Sequence, residues 1–347
     1  MKFTVYTLEQ ADRWDQLVHT FDSYDVYYIS GYVKAFQLHG DGEPLLFYYE
    51  GEDGLRGINV VMKRDIAKDS HFAGKLPEGQ YFDFATPYGY GGWLLEGSGA
   101  ADHLFSAYEE WCRANGIISE FVRFHPVLKN HEQQHGQYEV VRLGNTIMMD
   151  ISSDTTIWAN ISSKNRNVIR KALKNGVHIY NGRSPQLFDA FRTIYNATMD
   201  KDHAADYYYF KPSFYQSILN DLPHNAQIFY AECEGKVIAA SIMLCANGHM
   251  NYHLSGSVRE YQNLAPTNLL LYEAALWGWT NGHKTLHLGG GVGAGEDSLF
   301  SFKKAFNRGE PLPYYIGKKV FAPEQYEELL SLRGDVTEGS YFPKYRA

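Results

Sequence analysis

Apolar positions recur along this chain with two distinct periods. Short runs rich in β-branched and aromatic residues read as strands: residues 2–8, 44–50, 55–63, 118–124, 226–232, 237–246, 249–255, 285–288 and 314–321. Longer stretches with apolar residues three and four apart read as helices. The first lies around Trp14, Leu17 and Phe21, and others are expected at residues 100–114, 154–176, 186–199, 212–220, 265–280 and 323–332. The clearest succession spans residues 226–306. A three-strand meander leads into a helix opened by Ala265-Pro266-Thr267, where proline is tolerated because the first helical N–H has no partner in any case. Asn281-Gly282 closes that helix in the left-handed geometry these residues reach cheaply. After the strand at 285–288, five of the seven residues 289–295 are glycine, so backbone there can approach a ligand closely. Lys303 and Lys304 follow on a short helix. Residues 81–95 and 202–210 are aromatic with little periodicity, and the tail to Ala347 reads as loose.

The second half echoes the first. Leu104, Trp111, Asn115 and Gly116 match Leu270, Trp277, Asn281 and Gly282 at a constant offset of 166 positions, each set spelling helix, Asn-Gly stop, then strand. The hairpin at residues 46–62 likewise resembles the one at 229–243. A constant offset is a repeat signal, and it predicts a duplicated α/β unit. With 347 residues and about 150 per domain, the expected division is 1–148 and 149–347.

Composition adds exclusions. Apolar residues at 44% and charged residues at 21% are ordinary globular usage, which argues against disorder. A formal charge of −8 argues against a broad nucleic-acid-binding surface. Cys112, Cys233 and Cys245 form no C-x-x-C pair and no disulfide framework, so a reducing cytoplasmic setting is expected. The N-terminal stretch has no signal-peptide core, and the longest clean apolar run, residues 237–246, is too short to span a bilayer.

One basic feature stands against the acidic total. Lys164, Arg166, Arg170, Lys171 and Lys174 occur with no acid between Thr155 and Arg183. Like charges four apart on a helix repel. The run is either a solvated face or a site for an anionic partner such as phosphate. Other chemistries fit less well. His249/His253 and His283/His287 are spaced to share a strand face, but no cysteine or carboxylate accompanies them at ligand spacing, so a structural role is expected and no metal. No G-x-S-x-G elbow is present. Gly289-x-Gly291-x-x-Ala294 lacks both the following βαβ unit and the acid of a dinucleotide site. What remains is acyl transfer to an amine, carried by positioning. It needs a strand cleft, an electropositive feature for phosphates and a donor aimed at the tetrahedral oxyanion.

Six segments carry a resemblance: PYGYGGW (87–93), FHPVLKN (124–130), KNRNVIRKALKNGV (164–177), YHLSGS (252–257), APTNLLLYEAALWGWTNGHKTLHLGGG (265–291) and FKKAF (302–306). Together they resemble the FemABX group of peptidoglycan aminoacyltransferases, tandem-domain members of the GNAT acyltransferase superfamily. The resemblance implies an α/β (α+β) fold of two GNAT-like domains, each a mixed, mostly antiparallel sheet flanked by helices. It also implies a cytoplasmic acyltransferase with no tightly bound cofactor. Aminoacyl-tRNA would be the co-substrate; the alternatives are an acetyl-CoA-dependent N-acetyltransferase acting on a small amine and a non-catalytic homologue that kept the binding cleft. The acceptor would be an amine of a muropeptide precursor, with peripheral membrane contact through a lipid-linked substrate. Lys303 matches the lysine of the family's F-K-x-x-F and is the expected catalytic residue. Lys34 and Arg166 are expected to hold substrate phosphates, with Tyr88, Tyr207 and Tyr252 shaping the substrate channel. His203 stands where the family tends to have Arg. Ala265, Thr267, Asn268, Gly290 and Gly291 are the expected donor-binding positions. Pro266 removes an N–H that the pyrophosphate of coenzyme A would use.

Overall fold

The computed structural model describes residues 1–134, 136–334, 339 and 341–347. In chain order, β1 (Lys2–Tyr6), α1 (Ala11–Val18) and α2 (Ser30–His39) precede β2 (Glu43–Glu50), β3 (Arg56–Asp65), β4 (Phe82–Ala85) and β5 (Leu94–Glu96). Then come α3 (Asp102–Ala114), β6 (Ile117–Arg123) and β7 (Glu139–Asp150). The second half opens with α4 (Asp154–Asn160), α5 (Ser163–Lys174), β8 (His178–Gly182), α6 (Pro185–Lys201) and α7 (Pro212–Asp221). It continues with β9 (Ala226–Cys233), β10 (Lys236–Ala246), β11 (His249–Ser257), α8 (Pro266–Thr280), β12 (Thr285–Gly289) and α9 (Ser298–Lys304). β13 (Leu312–Val320) and α10 (Pro323–Arg333) follow.

The chain divides into two compact units, Met1–Leu143 with Tyr314–Ala347, and Gly144–Pro313. In the first unit, neighbouring strands run β1-β2-β3-β4-β6-β13, with β5 added to β3. All pairs there are antiparallel except β4 with β6. The order in the second unit is β8-β9-β10-β11-β12-β7, antiparallel except β11 with β12. Each unit thus repeats one plan: four antiparallel strands, a helix, a parallel fifth strand, then an antiparallel sixth. The crossover helices are α3 and α8, the pair matched at the constant offset.

Two expectations are corrected here. Residues 314–347 belong with the first unit rather than the second, because β13 pairs with β6 from Ile316↔Arg123 to Val320↔Ser119. The sixth strand of the first unit is therefore supplied from the far end of the sequence. The tail is not loose over its last residues. Tyr345 is fully buried in a cluster with Ile66, Phe72, Ile118, Tyr326 and Leu329. Arg346 and Arg64 both pair with the buried Asp83, and the Tyr345 hydroxyl donates to the same carboxylate at 3.1 Å. Residues 335–338 and Ser340 of that tail lie outside the described residues.

A third correction concerns the helix expected at 154–176. It is two helices, because Ile161 is extended (ψ 134°) and Ser162 caps α5 by accepting from the Asn165 N–H. The core of the second unit lies between α8 and its sheet and includes Ile147, Met149, Phe229, Met243, Met250, Leu270, Ala274 and Leu286.

Candidate active site

The site is built where β11 and β12 run parallel and α9 returns beneath them. Asp297 caps α9, accepting the Phe300 N–H at 2.8 Å and the Val292 N–H at 3.0 Å. These donors hold its carboxyl below the usual range. The cap fixes the first turn of α9, and Phe300 and Phe306 anchor the helix and the residues after it in the core. Lys303 is thereby turned inward and is only 8% exposed. Its ammonium donates to the Gly290 carbonyl at 2.6 Å and lies 6.0 Å from the Tyr252 ring centroid. Burial pulls its pKa down from 10.5 to about 8, against the opposing pull of Asp297. The structure therefore brings Lys303, Tyr252 and Gly290 together.

The glycines at the end of β12 have a structural cause. A Cβ on Gly290 would stand 2.8 Å from the Asn145 carbonyl oxygen, and one on Gly291 2.1 Å from that of Gly295. These close backbone approaches favour glycine at both positions whatever binds nearby, so their composition alone says nothing of a donor. Gly290 serves the site directly, by presenting its carbonyl to Lys303.

The start of α8 is joined to the same region by side chains. Ala265 is left-handed (φ 54°), and the Asn268 and Leu269 N–H groups both return to its carbonyl. With Pro266 lacking an N–H, Thr267 is left to supply the donor of that turn. The Asn268 side chain donates to Asn165 Oδ1 at 2.8 Å, and Asn165 reaches the Ala305 carbonyl at 3.4 Å. Buried Asn165 thus ties α5, α8 and the end of α9 into one frame. Pattern reading passes over it because it sits inside a run notable for its cations.

Two of the five cations of that run, Arg166 and Arg170, are engaged by protein. Arg166 donates to the Trp158 carbonyl at 3.2 Å and to Ser163 Oγ at 3.3 Å. Arg166 and Arg170 stand 5.9 and 5.1 Å from the Trp158 ring. Their proximity is offset by these groups, which is why the run tolerates its own repulsion. His203 is exposed and left-handed (φ 51°) after α6, and Tyr207 is 40% exposed with its ring 6.2 Å from Phe210. In the first unit, Lys34 is exposed on α2. Tyr88 stacks on Phe36 of the same helix at 5.4 Å, and its carbonyl accepts from the Tyr32 hydroxyl.

Pattern reading also passes over H-E-x-x-H lettering at His131-Glu132-Gln133-Gln134-His135. A zinc site of that kind needs a helix presenting both histidines. The described part is one short turn, Asn130–Gln133, with His131 buried and stacked on Tyr315 at 4.0 Å. His135 lies outside the described residues. Among the described residues no group of three His, Cys, Asp or Glu is placed to hold a metal. No helix of the described residues is long and apolar enough to cross a membrane.

Comparison with known proteins follows the same lines. Residues 163–303 match the family described as an acetyltransferase (GNAT) domain. A UDP-N-acetylmuramoylpentapeptide-lysine N(6)-alanyltransferase from Weissella viridescens is 30% identical over 173 residues, 48% of this chain. The alignment spans 50% of that relative's length, so the chain covers about half of the curated protein it matches. Among solved structures, FemX superposes with a TM-score of 0.68 at 14% identity, covering 94% of this chain and 99% of that one. A tandem GNAT protein from the clavulanic acid biosynthesis pathway superposes with a TM-score of 0.50 at 9% identity, covering 93% and 99%. Two units repeat one strand plan, and the GNAT match falls across the second. The whole chain resembles FemX in fold.

Proposed function

We propose that this chain is an acyltransferase that forms an amide on an amine. In the finer reading, it transfers an aminoacyl group from aminoacyl-tRNA to the lysine-type amine of a peptidoglycan precursor, as in cross-bridge formation. The supporting observation is Lys303. A buried ammonium whose pKa has fallen to about 8 is destabilised by its surroundings. It is held by a carbonyl dipole rather than neutralised by a carboxylate within ion-pair distance. Such a group has charge to give to an anion that develops beside it. The partially negative ester carbonyl of the attacked donor supplies one. Lys303 stabilises the tetrahedral oxyanion, and Asn165, Asn268 and Asp297 hold the helices that aim it.

In this reading Thr267, Asn268 and Gly290 border the donor, and Tyr252 borders the reacting centre. Lys34, Tyr88, Arg166, His203 and Tyr207 are candidates for the acceptor's phosphates and sugar. Support for the aminoacyl reading over coenzyme A comes from Pro266, because the N–H it lacks is one a pyrophosphate would use.

The test is a donor screen with radiolabelled acyl groups, charged tRNAs against acyl-CoAs, using a UDP-linked muramyl pentapeptide as acceptor. Transfer from charged tRNA is expected, together with loss of at least 100-fold in kcat and little change in acceptor binding for Lys303→Met. Transfer only from acyl-CoA would replace this reading with a coenzyme A-dependent N-acetyltransferase. Unchanged turnover by Lys303→Met would remove the lysine from the mechanism.

A further inference from the structure

Lys164, Arg170, Lys171 and Lys174 of α5 have no part in the chemistry assigned to Lys303. At 100° per residue, Asn165, Ile169 and Ala172 form the buried face of that helix, and the four cations spread across the opposite one. All four are exposed, and among the described residues none makes an ion pair. On a chain whose total charge is −8, this stripe is positive and uncompensated.

The backbone attaches α5 to the reaction centre. The Ser162 N–H, one residue before the helix, donates to the Ala305 carbonyl at 2.9 Å, and the Arg308 N–H donates to the Asn160 carbonyl at 2.9 Å. Ala305 follows closely on Lys303 at the end of α9. α5 therefore starts beside the lysine-bearing helix, and its 12 residues carry the cations over about 18 Å. Planar groups lie alongside. The Arg170 guanidinium stands 5.1 Å from the half-buried Trp158 ring and donates to Asn167 Oδ1 at 3.1 Å, which fixes its plane. Tyr272 of α8 meets the same indole at 5.1 Å between centroids, tilted by 57°. The carboxylates near this ladder, Asp154 and Glu273, act on its Tyr272 end.

We propose that the outer face of α5 is the docking rail for the RNA of the acyl donor. Its phosphates lie on Lys164, Lys171 and Lys174, and a base of its unpaired 3′ segment stacks on the Arg170 guanidinium backed by Trp158. This rests on the aminoacyl reading above and locates the partner that reading requires. Two observations favour RNA over an anionic membrane. A helix that lies on a membrane sinks an apolar face beneath its cations, whereas α5 has one exposed apolar residue, Leu173. A guanidinium plane backed by an indole is a stacking surface for a base, and a lipid headgroup has no use for it. Stacking also needs an open base face, which selects an unpaired segment over a duplex.

The experiment measures, by fluorescence anisotropy over a range of salt concentrations, the binding of a short RNA hairpin with an unpaired 3′ end to the full chain. Wild type, Lys164→Gln/Lys171→Gln/Lys174→Gln and Arg170→Lys are compared, with melting temperatures as a check on folding. Each phosphate contact on a single strand contributes about 0.7 to the slope of log K against log salt, so the triple variant should lose about 2 in slope and bind about tenfold weaker or more. Arg170→Lys keeps the charge and loses the plane, so it should keep the slope and bind roughly threefold weaker. With the UDP-linked muramyl pentapeptide as acceptor, the triple variant should raise KM for charged tRNA about tenfold. It should leave transfer from the 3′-alanyl ester of adenosine, a donor without the rest of the RNA, unchanged. RNA binding by the triple variant equal to wild type would overturn the proposal, as would equal losses on both donors. Loss of binding to phosphatidylglycerol vesicles with RNA binding intact would give the face to a membrane and overturn it too. In each of these cases acyl transfer by wild type still stands. Wild type that transfers from neither donor would overturn the aminoacyl reading, and this inference with it.

Discussion

At the scale of single residues, charge placed at a cost is the clearest signature of function. Folding lowers the Lys303 pKa from 10.5 to about 8, so the folded state binds its proton less well than the unfolded chain. By linkage, that lysine lowers stability below pH 8, and the penalty fades as pH rises from about 8 to 10.5. Lys303→Met is therefore expected to be as stable as wild type at pH 7, or more stable by roughly 1–2 kcal/mol, while losing transfer. Chemical denaturation at pH 7 and pH 10 measures the difference, and a variant much less stable than wild type at pH 7 would assign the lysine a structural role. Turnover should fall as pH rises through about 8, where the ammonium is lost. Asp297→Asn keeps the α9 cap but removes the charge that supports the ammonium. It should shift that alkaline limb to lower pH, read from a kcat–pH profile. His253 has the same sign at the acid end. Burial lowers its pKa from 6.5 to about 3, so it stays neutral when folded. Stability is fully present above pH 6.5 and is lost as pH falls from there toward 3. His253→Phe should flatten that loss in acid melting curves.

At the scale of elements, the joints decide more than the helices themselves. α4 and α5 separate at Ser162, and the α5 start is tied by Asn165 to α8 and to the end of α9. Ser162→Ala should cost about 1 kcal/mol through loss of the cap. Asn165→Ala and Asn268→Ala share one hydrogen bond, so a double-mutant cycle should give a coupling of about 0.5–1.5 kcal/mol. Additive losses would show that the two asparagines do not act on one another in solution. The meander, α8 with its Asn-Gly stop, and the short lysine-bearing helix were all legible from periodicity and capping residues. β4 and β5 were not, because strands of three and four residues inside an aromatic, glycine-rich stretch carry too few alternations to stand out, and the exposed, polar β8 lacks an apolar face. The long β7 was missed because its first half, Glu139 to Leu143, is half-exposed and mixed in character.

At the scale of the whole molecule, the first unit is closed by residues remote in sequence. Tyr345 fills its core beside Phe72, and Arg346 joins Arg64 on Asp83. Tyr345→Ala should cost roughly 3–5 kcal/mol, the usual range for deleting a large buried aromatic, read as a lowered melting temperature. A loss below about 1 kcal/mol would show that the tail is not part of the folded unit. The sequence by itself determined the repeat and the central helices, because hydrophobic period and Pro-in and Gly-out signals act over a few residues. Only the tertiary structure decided which strand completes each sheet and that the tail is docked. Those outcomes depend on pairing across long separations, which leaves no mark in local composition.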